Sequence, residues 1–551
     1  MKLLKNIKYK IVLLAFAVLF SACNDYIEED IFSDITSENF IDENTADQLV
    51  VGVYTQLRSV YKNYGYKFLG TDIFTIKGEL FSTSSENDYF AVTAPDGNGV
   101  WSSNYNVIAK ANTAINRYEN QINWSDTNLD DKAYGIAQAR ALRALAYFNL
   151  VVQYGGVALE LEEPQSIRTD YTRSSEEETY TLIIAELEAA IPDLLDTPET
   201  GRFSKRAAQH LLSEVYLTRA YKSYAGTNDF ETAATLAESA IGGYDIRSQS
   251  YAEVFDFDNQ VNDEVLFAVQ FGNSGFSSDK SNTKHSLFMY SVFNYESQGV
   301  SRANPYGGVG SSGMPTPYFY SLFADDDERE NATIHRTIIA DKEGVMGTDN
   351  IVAGDTVVYY PKKALDIAEL TDKLDRYWVY QPDQYLYMVP DDIPGVNYLY
   401  SASPSQNIHF PIFKKFDDED INAEIEGSRD TFVFRVAESH LLAAEAYLGA
   451  NDPVNALIHL NRVRERATGV ANYYTSISVD DILVERALEL AGESNRWAVL
   501  KRTGKLEERI ELYNPHVIDH GAFDPDIHYL RPIPNNELVI SPTTMEQNPG
   551  Y

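Results

Sequence analysis

Cys23 is the only cysteine in the chain, and it stands directly after a short apolar N-terminal segment. Lys2, Lys5, Lys8 and Lys10 form a basic start, Ile11 to Phe20 is an unbroken apolar run, and the small residues Ser21 and Ala22 lead into the thiol. That run is about half of the roughly 20 residues a bilayer-crossing helix needs, so the segment reads as a signal peptide. An ordinary secretory signal has no use for a thiol after the small residues. A lipoprotein signal does, because the sulfur accepts a diacylglycerol and the cysteine becomes the first residue of the mature chain. Asp25, Glu28, Glu29 and Asp30 follow at once, as suits a hydrated tether. The chain is expected to be exported and anchored by lipid at Cys23.

Other chemistry-bearing patterns fail on context. Gly308-Val309-Gly310-Ser311-Ser312-Gly313 matches a dinucleotide fingerprint, but no strand is expected before it, and Met314-Pro315-Thr316-Pro317 is expected to keep a helix from opening behind it. Asp418, Asp420 and Asn422 occupy the first ligand positions of a calcium loop, yet Ala423 replaces the required glycine and Arg429 the closing glutamate. His516, His520 and His528 with Asp519 and Asp524 form a loose cluster with no helix expected to orient it as a zinc site. Neither a metal nor any cofactor is expected. A glycosidase needs only two spaced carboxylates, and 82 acidic residues prevent its exclusion by motif; they give no sign of catalysis either.

The elements that would position any site are mostly helical. Helical spacing of apolar residues predicts helices over 38–62, Trp101–Tyr118, Ala133–Tyr154, Thr179–Leu195, Ser204–Tyr221 and Glu231–Ile241. Gly155-Gly156 stops the third. The last two form a pair around Gly226 to Asp229, and a similar pair, Phe432–Gly449 and Pro453–Arg466, flanks Ala450-Asn451-Asp452. Both pairs carry small residues where two helices must approach, the logic of tetratricopeptide-like units. Between them the texture changes to Gly, Pro, Ser, Asn and Tyr, with short strand-like pieces at Glu264–Phe271 and Thr356–Tyr360. The reading is therefore mainly α: tetratricopeptide-like helical repeats carrying a large, irregular, loop-rich insertion with short strands. It divides into a signal peptide at 1–22, a tether at 23–37, a helical part at 38–245, a ligand-face insertion at 246–430 and C-terminal helices and tail at 431–551.

Composition narrows the partners. Removal of the signal takes away four lysines and moves the formal charge from −37 to −41. Such a surface repels phosphate backbones, so nucleic acid is not expected to bind. A single cysteine rules out a disulfide-stapled fold despite export. The 38 tyrosines are the unusual feature, since a ring with one polar tip suits a wet binding surface as well as a core.

Several segments together resemble the SusD/RagB family of outer-membrane nutrient-binding lipoproteins. "ARALRALAYFNLVVQYGGVAL" (Ala139 to Leu159) is similar to the family's helix and turn, with Ala158 where proline is usual. "GRFSKRAAQHLLSEVYL" (Gly201 to Leu217), "PTPYFYSLFADDDER" (Pro315 to Arg329), "FRVAESHLLAAEAYL", "HLNRVRERA" and "ERALELAGESNRWAVLKRTGKL" follow in the family's order. The ending "YLRPIPNNELVISPTTMEQNPGY" is the most specific. The resemblance implies a SusD-like α/α fold with four tetratricopeptide-like units, and no enzymatic activity. It implies a SusC-like TonB-dependent transporter as partner, glycan or peptide as ligand, and a cell-surface location that the acidic residues after Cys23 also suit.

The residues converge on a similar function. Sugars offer C–H faces that stack on aromatic rings and hydroxyls that bond amides and carboxylates. Trp101 and Asn104 supply that pair one turn apart, where glycan-binding members of the family place a similar Trp and Asn. Asn87, Asp88 and Tyr89 are expected to line the same cleft, with Trp378, Tyr380 and Tyr290 added from the insertion. The expected function is capture of an extracellular oligo- or polysaccharide for delivery to a transporter. The alternatives are peptide capture, a surface glycosidase and a purely structural adaptor. If Cys23 carries the anchor, the full chain enters the detergent phase of a Triton X-114 separation and Cys23→Ala moves it to the aqueous phase; equal partitioning of both would contradict the anchor.

Overall fold

The computed structural model describes residues 42–62, 65–76, 87, 89, 92–166, 168–272, 281–288, 292–301, 306, 313–382, 410–419, 426–520 and 523–551. Cys23 and the tether lie outside them. The helical part is α1 (Asp47–Lys62), α2 (Gly99–Asn120), α3 (Leu129–Tyr154), α4 (Glu176–Ala190), α5 (Lys205–Ala220) and α6 (Asp229–Ile241). Every residue of α3 from Ala141 to Tyr154 is buried. A helix buried on all sides must be surrounded, and α1, α2, α4 and α5 enclose it. The one charge in that run, Arg143, is met by Glu186 at 2.6 Å and by the Asn112 amide oxygen at 2.7 Å. Ser175 and Glu178 close a capping box before α4, and the Ser204 hydroxyl accepts from the Ala207 N–H to start α5.

A second group, α7 (Val436–Gly449), α8 (Pro453–Thr468) and α9 (Val479–Leu490), continues the same array. α6 packs on α7 although the whole insertion separates them in sequence. Ala233, Ala234 and Ala237 meet Leu442, Ala443 and Ala446. A Cβ on Gly449 would come within 2.3 Å of the Phe230 ring, so only glycine lets the two units touch there. The two helix pairs expected from sequence are thus neighbours in one stack. The predicted helix from Phe432 is corrected at its start, because Thr431–Arg435 is a strand and α7 begins only at Val436.

That strand explains how the chain returns. Along the chain the strands used here are β1 (Phe74–Ile76), β2 (Val265–Val269), β3 (Gly313–Pro315), β4 (Thr337–Ile339), β5 (Thr356–Tyr359), β6 (Trp378–Val379) and β7 (Thr431–Arg435). β2 and β7 pair antiparallel, so the two ends of the insertion are held side by side and α7 emerges next to the helical array. β1 and β3 also pair antiparallel. β4 pairs antiparallel with β5, and β5 parallel with β6, over a small core of Ile338, Val357, Val358 and Tyr360. The rest of the insertion is not separable from the helices. Phe288 and Phe413 lie in the same aromatic cluster as Phe68 and Phe74, with ring centroids 4.7 Å (Phe68–Phe288) and 4.9 Å (Phe288–Phe413) apart.

Two expectations about rejected motifs also change. A short helix, Pro317–Ser321, does open after the Met-Pro-Thr-Pro stretch, with Thr316 as its cap. Proline is welcome in the first turn, where no backbone donor is needed. Residues 308–312, and Asp420 and Asn422, lie outside the described residues. The histidine segment forms two short helices, Pro515–His520 and Pro525–His528, and the His528 Nδ1 accepts from the Asp524 N–H at 2.8 Å.

Where the insertion meets α8 and α9, five cations and five carboxylates are buried together. Arg329 reaches Asp327 at 2.7 Å and Glu485 at 2.6 Å; Arg464 reaches Asp327 at 3.0 Å. Arg435, which ends β7, bonds Glu493 at 2.6 Å, Glu489 at 3.1 Å and Glu264 beside β2. Arg466 bonds Glu264 at 2.5 Å as well as Glu489, and Lys415 bonds Glu493 at 2.5 Å. Burial by itself would raise the Glu489 carboxyl, but Arg466, Arg435 and Arg329 hold it down at about 2, against 4.5 in water. Its contribution to stability is therefore present above pH 4.5 and is lost as the pH falls through about 2. Removing one partner leaves uncompensated buried charge, so Glu489→Ala should cost about 3–5 kcal/mol in urea unfolding at neutral pH. It should also flatten the acid-side loss of stability, whereas an unchanged urea midpoint would contradict this role for the cluster.

Candidate functional site

The start of α2 is fixed by Asn98, whose Oδ1 accepts from the N–H of Val100 at 2.8 Å and of Trp101 at 3.4 Å. Trp101, Tyr105, Ala109 and Asn112 then follow along one side of the helix, three to four residues apart. Facing them are the segment after α3 and a piece of the C-terminal tail, Glu537 and Met545. The space between is a cavity of about 420 Å³, open to solvent beside Ser102, Asn106 and Gln165. That is a size suited to a small ligand or a few sugar units.

Each wall is held by specific bonds. Gly155 ends α3 at φ +73°, and a Cβ on Gly156 would meet the Ser174 carbonyl at 1.9 Å, so this turn needs both glycines. The turn lays Ala158 against Arg173 as an isolated antiparallel bridge. The Tyr105 hydroxyl donates to the Ala158 carbonyl at 2.9 Å. The Asn112 amide donates to the carbonyls of Glu160 and Glu162 at 3.0 and 3.1 Å. Glu163 is clamped by Arg117 at 2.9 Å and by Asn116 at 2.7 Å. The tail is tied in by Arg173, which bonds the Tyr154 carbonyl at 2.7 Å and the Asn548 side chain at 2.5 Å. Asn548 in turn donates to the carbonyls of Tyr154 at 3.0 Å and Arg531 at 2.7 Å. Three stretches of chain, far apart in sequence, are locked into one rim.

The cavity lining mixes aromatic rings with carboxylates and amides. Trp101, Tyr105 and Tyr171 supply ring surface, and the Arg168 guanidinium lies over the Tyr171 ring at 5.1 Å. Burial places the Tyr105 hydroxyl well above the usual tyrosine range. Partial burial raises Glu160, against the pull of Arg168, which it contacts at 2.7 Å. Glu537 is raised in the same way, against the pull of the nearby Trp101 indole N–H. Ring faces with carboxylate and amide edges can stack on a sugar and bond its hydroxyls.

The structure separates the residues expected from sequence. Trp101 is a cavity wall but only 3% exposed, with Tyr105 and Tyr154 rings 5.1 and 5.0 Å away. Asn104 is corrected to an internal residue: it is 0% exposed, donates to the Val100 carbonyl at 2.7 Å and accepts from Asn149 at 3.2 Å. Asn87 is likewise buried and accepts from the Gly70 N–H at 3.1 Å, and the buried Tyr89 donates to the Gly70 carbonyl at 2.7 Å. Neither lines the cavity. Trp378 is 47% exposed and Tyr380 half-buried, stacked on Tyr360 and bonded to the Tyr295 hydroxyl, away from the cavity lining. Asp88 and Tyr290 lie outside the described residues. Sequence reading missed Tyr105 as a wall residue, and with it Glu160, Tyr171 and Glu537. The acidic run after the double glycine was a visible signal; the arrival of Glu537 from the tail had none.

The model of the SusD family matches residues 263–551, and a second, described as starch-binding associating with outer membrane, matches residues 25–217. A SusD-like protein of Bacteroides ovatus is 28% identical over 508 residues, 88% of this chain and 81% of its own length. A laminarin-binding SusD-like protein of solved structure superposes with a TM-score of 0.66 at 24% identity, covering 93% of this chain and 100% of that one. A structure solved with a xylogluco-oligosaccharide gives 0.61 at 24% identity and 85% of both chains. Because Asn104 joins α2 to Asn149 on α3, Asn104→Ala should lower stability by about 1–3 kcal/mol, since it strands a buried partner. Thermal unfolding checks this; an unchanged melting temperature would contradict the internal role.

Proposed function

The chain belongs to the SusD family, and on that premise we propose that it is a surface lipoprotein that captures an extracellular oligosaccharide without chemical change. Anchored by Cys23 in the outer membrane, it hands the ligand to a SusC-like TonB-dependent transporter. The observation that carries this reading is the open cavity of about 420 Å³ whose lining combines ring surface with carboxylates and amides. The glycan named for the laminarin-binding structure and the one bound in the xylogluco-oligosaccharide structure belong to chains with this same fold. A sugar ring would lie on Tyr105 or Tyr171, while Asn106 and Gln165 at the mouth bond its hydroxyls. The tetratricopeptide-like helices would serve as scaffold and transporter-docking surface.

Calorimetric titration of the soluble chain starting after Cys23, against polysaccharides and peptide pools with product analysis in the same tubes, tests the proposal. Heat from one glycan class with no new reducing ends is expected. Asn106→Ala and Tyr171→Ala should each weaken that binding about tenfold, or about 1.4 kcal/mol. Silence across the sugars with heat from peptides would overturn the proposal in favour of peptide capture, and cleavage would make the chain a glycosidase.

A further inference from the structure

The charges around the cavity do not balance. Glu160, Glu162, Glu163 and Glu537 all line it, and among the described residues Arg168 is the one cation that does. Arg168 is already committed to Glu160 at 2.7 Å and Asp170 at 3.0 Å, and Glu163 is held from outside by Arg117. Glu537 differs from these. It comes from the tail, it is half-buried in the cavity wall, and among the described residues no cation pairs with it. A partly desolvated carboxylate without a counter-ion is a cost to the empty site. Hydroxyls of a neutral sugar relieve it partly. A uronate or sulfate would add to it.

Resting on the reading that this cavity is the glycan site, we propose that it takes oligosaccharides bearing a protonated amine, with the ammonium bonded to Glu537, and rejects anionic ones. The aromatic wall would hold the sugar ring while Glu537 reads the amine, an arrangement that gives both affinity and charge selectivity. The strongly acidic surface of the whole chain would also steer a cationic oligomer toward the site.

The test uses four oligomers of equal length at a pH where the amine is protonated: glucosamine, its N-acetylated form, neutral glucose and a uronate. The free-amine oligomer should bind at least about tenfold tighter than its acetylated form, and the uronate should not bind. Glu537→Gln should bring the amine preference below about threefold, and Glu537→Asp should keep it. Equal affinity for the amine and acetylated oligomers, binding of the uronate, or a preference untouched by Glu537→Gln would overturn the inference. If the neutral oligomer binds and no amine preference appears, the charge inference fails and glycan capture stands; if no sugar binds, both fall.

Discussion

The fold depends on a chain that leaves a helical stack, wanders through a long insertion and comes back to the same place. The buried ion cluster is what fixes the place of return. Glu264 sits beside β2 on the way out, Arg435 ends β7 on the way back, and both are bonded within one network to Arg466, Glu489 and Glu493. Apolar side chains would fill the same space, and replacing such networks with them is often neutral for stability. Charges do something that apolar contacts do not: each has few satisfactory partners, so a slipped pairing of β2 with β7 would bury unmatched groups. The cluster therefore specifies register as well as adding cohesion.

The site is a consequence of that closure. Once β7 delivers α7 to the side of α6, the chain beyond α9 returns to the end of α3, where the Lys501 ammonium donates to the Val152 carbonyl at 2.8 Å, and the tail ends against the turn after α3 through Asn548 and Arg173. The cavity wall made by Glu537 exists only because of this return. α2 and the segment after α3 form its other walls and are joined by the Tyr105 and Asn112 bonds. A preformed, rigid pocket of this kind holds a ligand with little loss of ordering entropy on binding.

Much of the scaffold was legible in the sequence because local rules govern it. The alanine-dense α3 with its double-glycine stop and the small-residue faces of α6 and α7 announce themselves. The site was legible only in part. Trp101 lines the cavity, whereas Asn104, named with it from the sequence, does not. Three residues fall short of a helical turn and four overshoot it, so Asn104 leans toward Asn149 on α3 while Tyr105 leans toward the cavity. Sequence spacing gives the face but not which edge of it is covered. The ion cluster and Glu537 were invisible for a different reason: the cluster joins Asp327 and Arg329 to groups on β7, α8 and α9, Glu537 reaches the cavity from the tail, and no helical or strand period marks either.

The most direct test of the central claim is a crystal structure of the soluble chain grown with the oligosaccharide that titration identifies. Sugar density is expected between α2 and the segment after α3, with a ring face on Tyr105 or Tyr171 and contacts at Asn106. Density elsewhere, such as over the exposed Trp378, with this cavity empty, would contradict it.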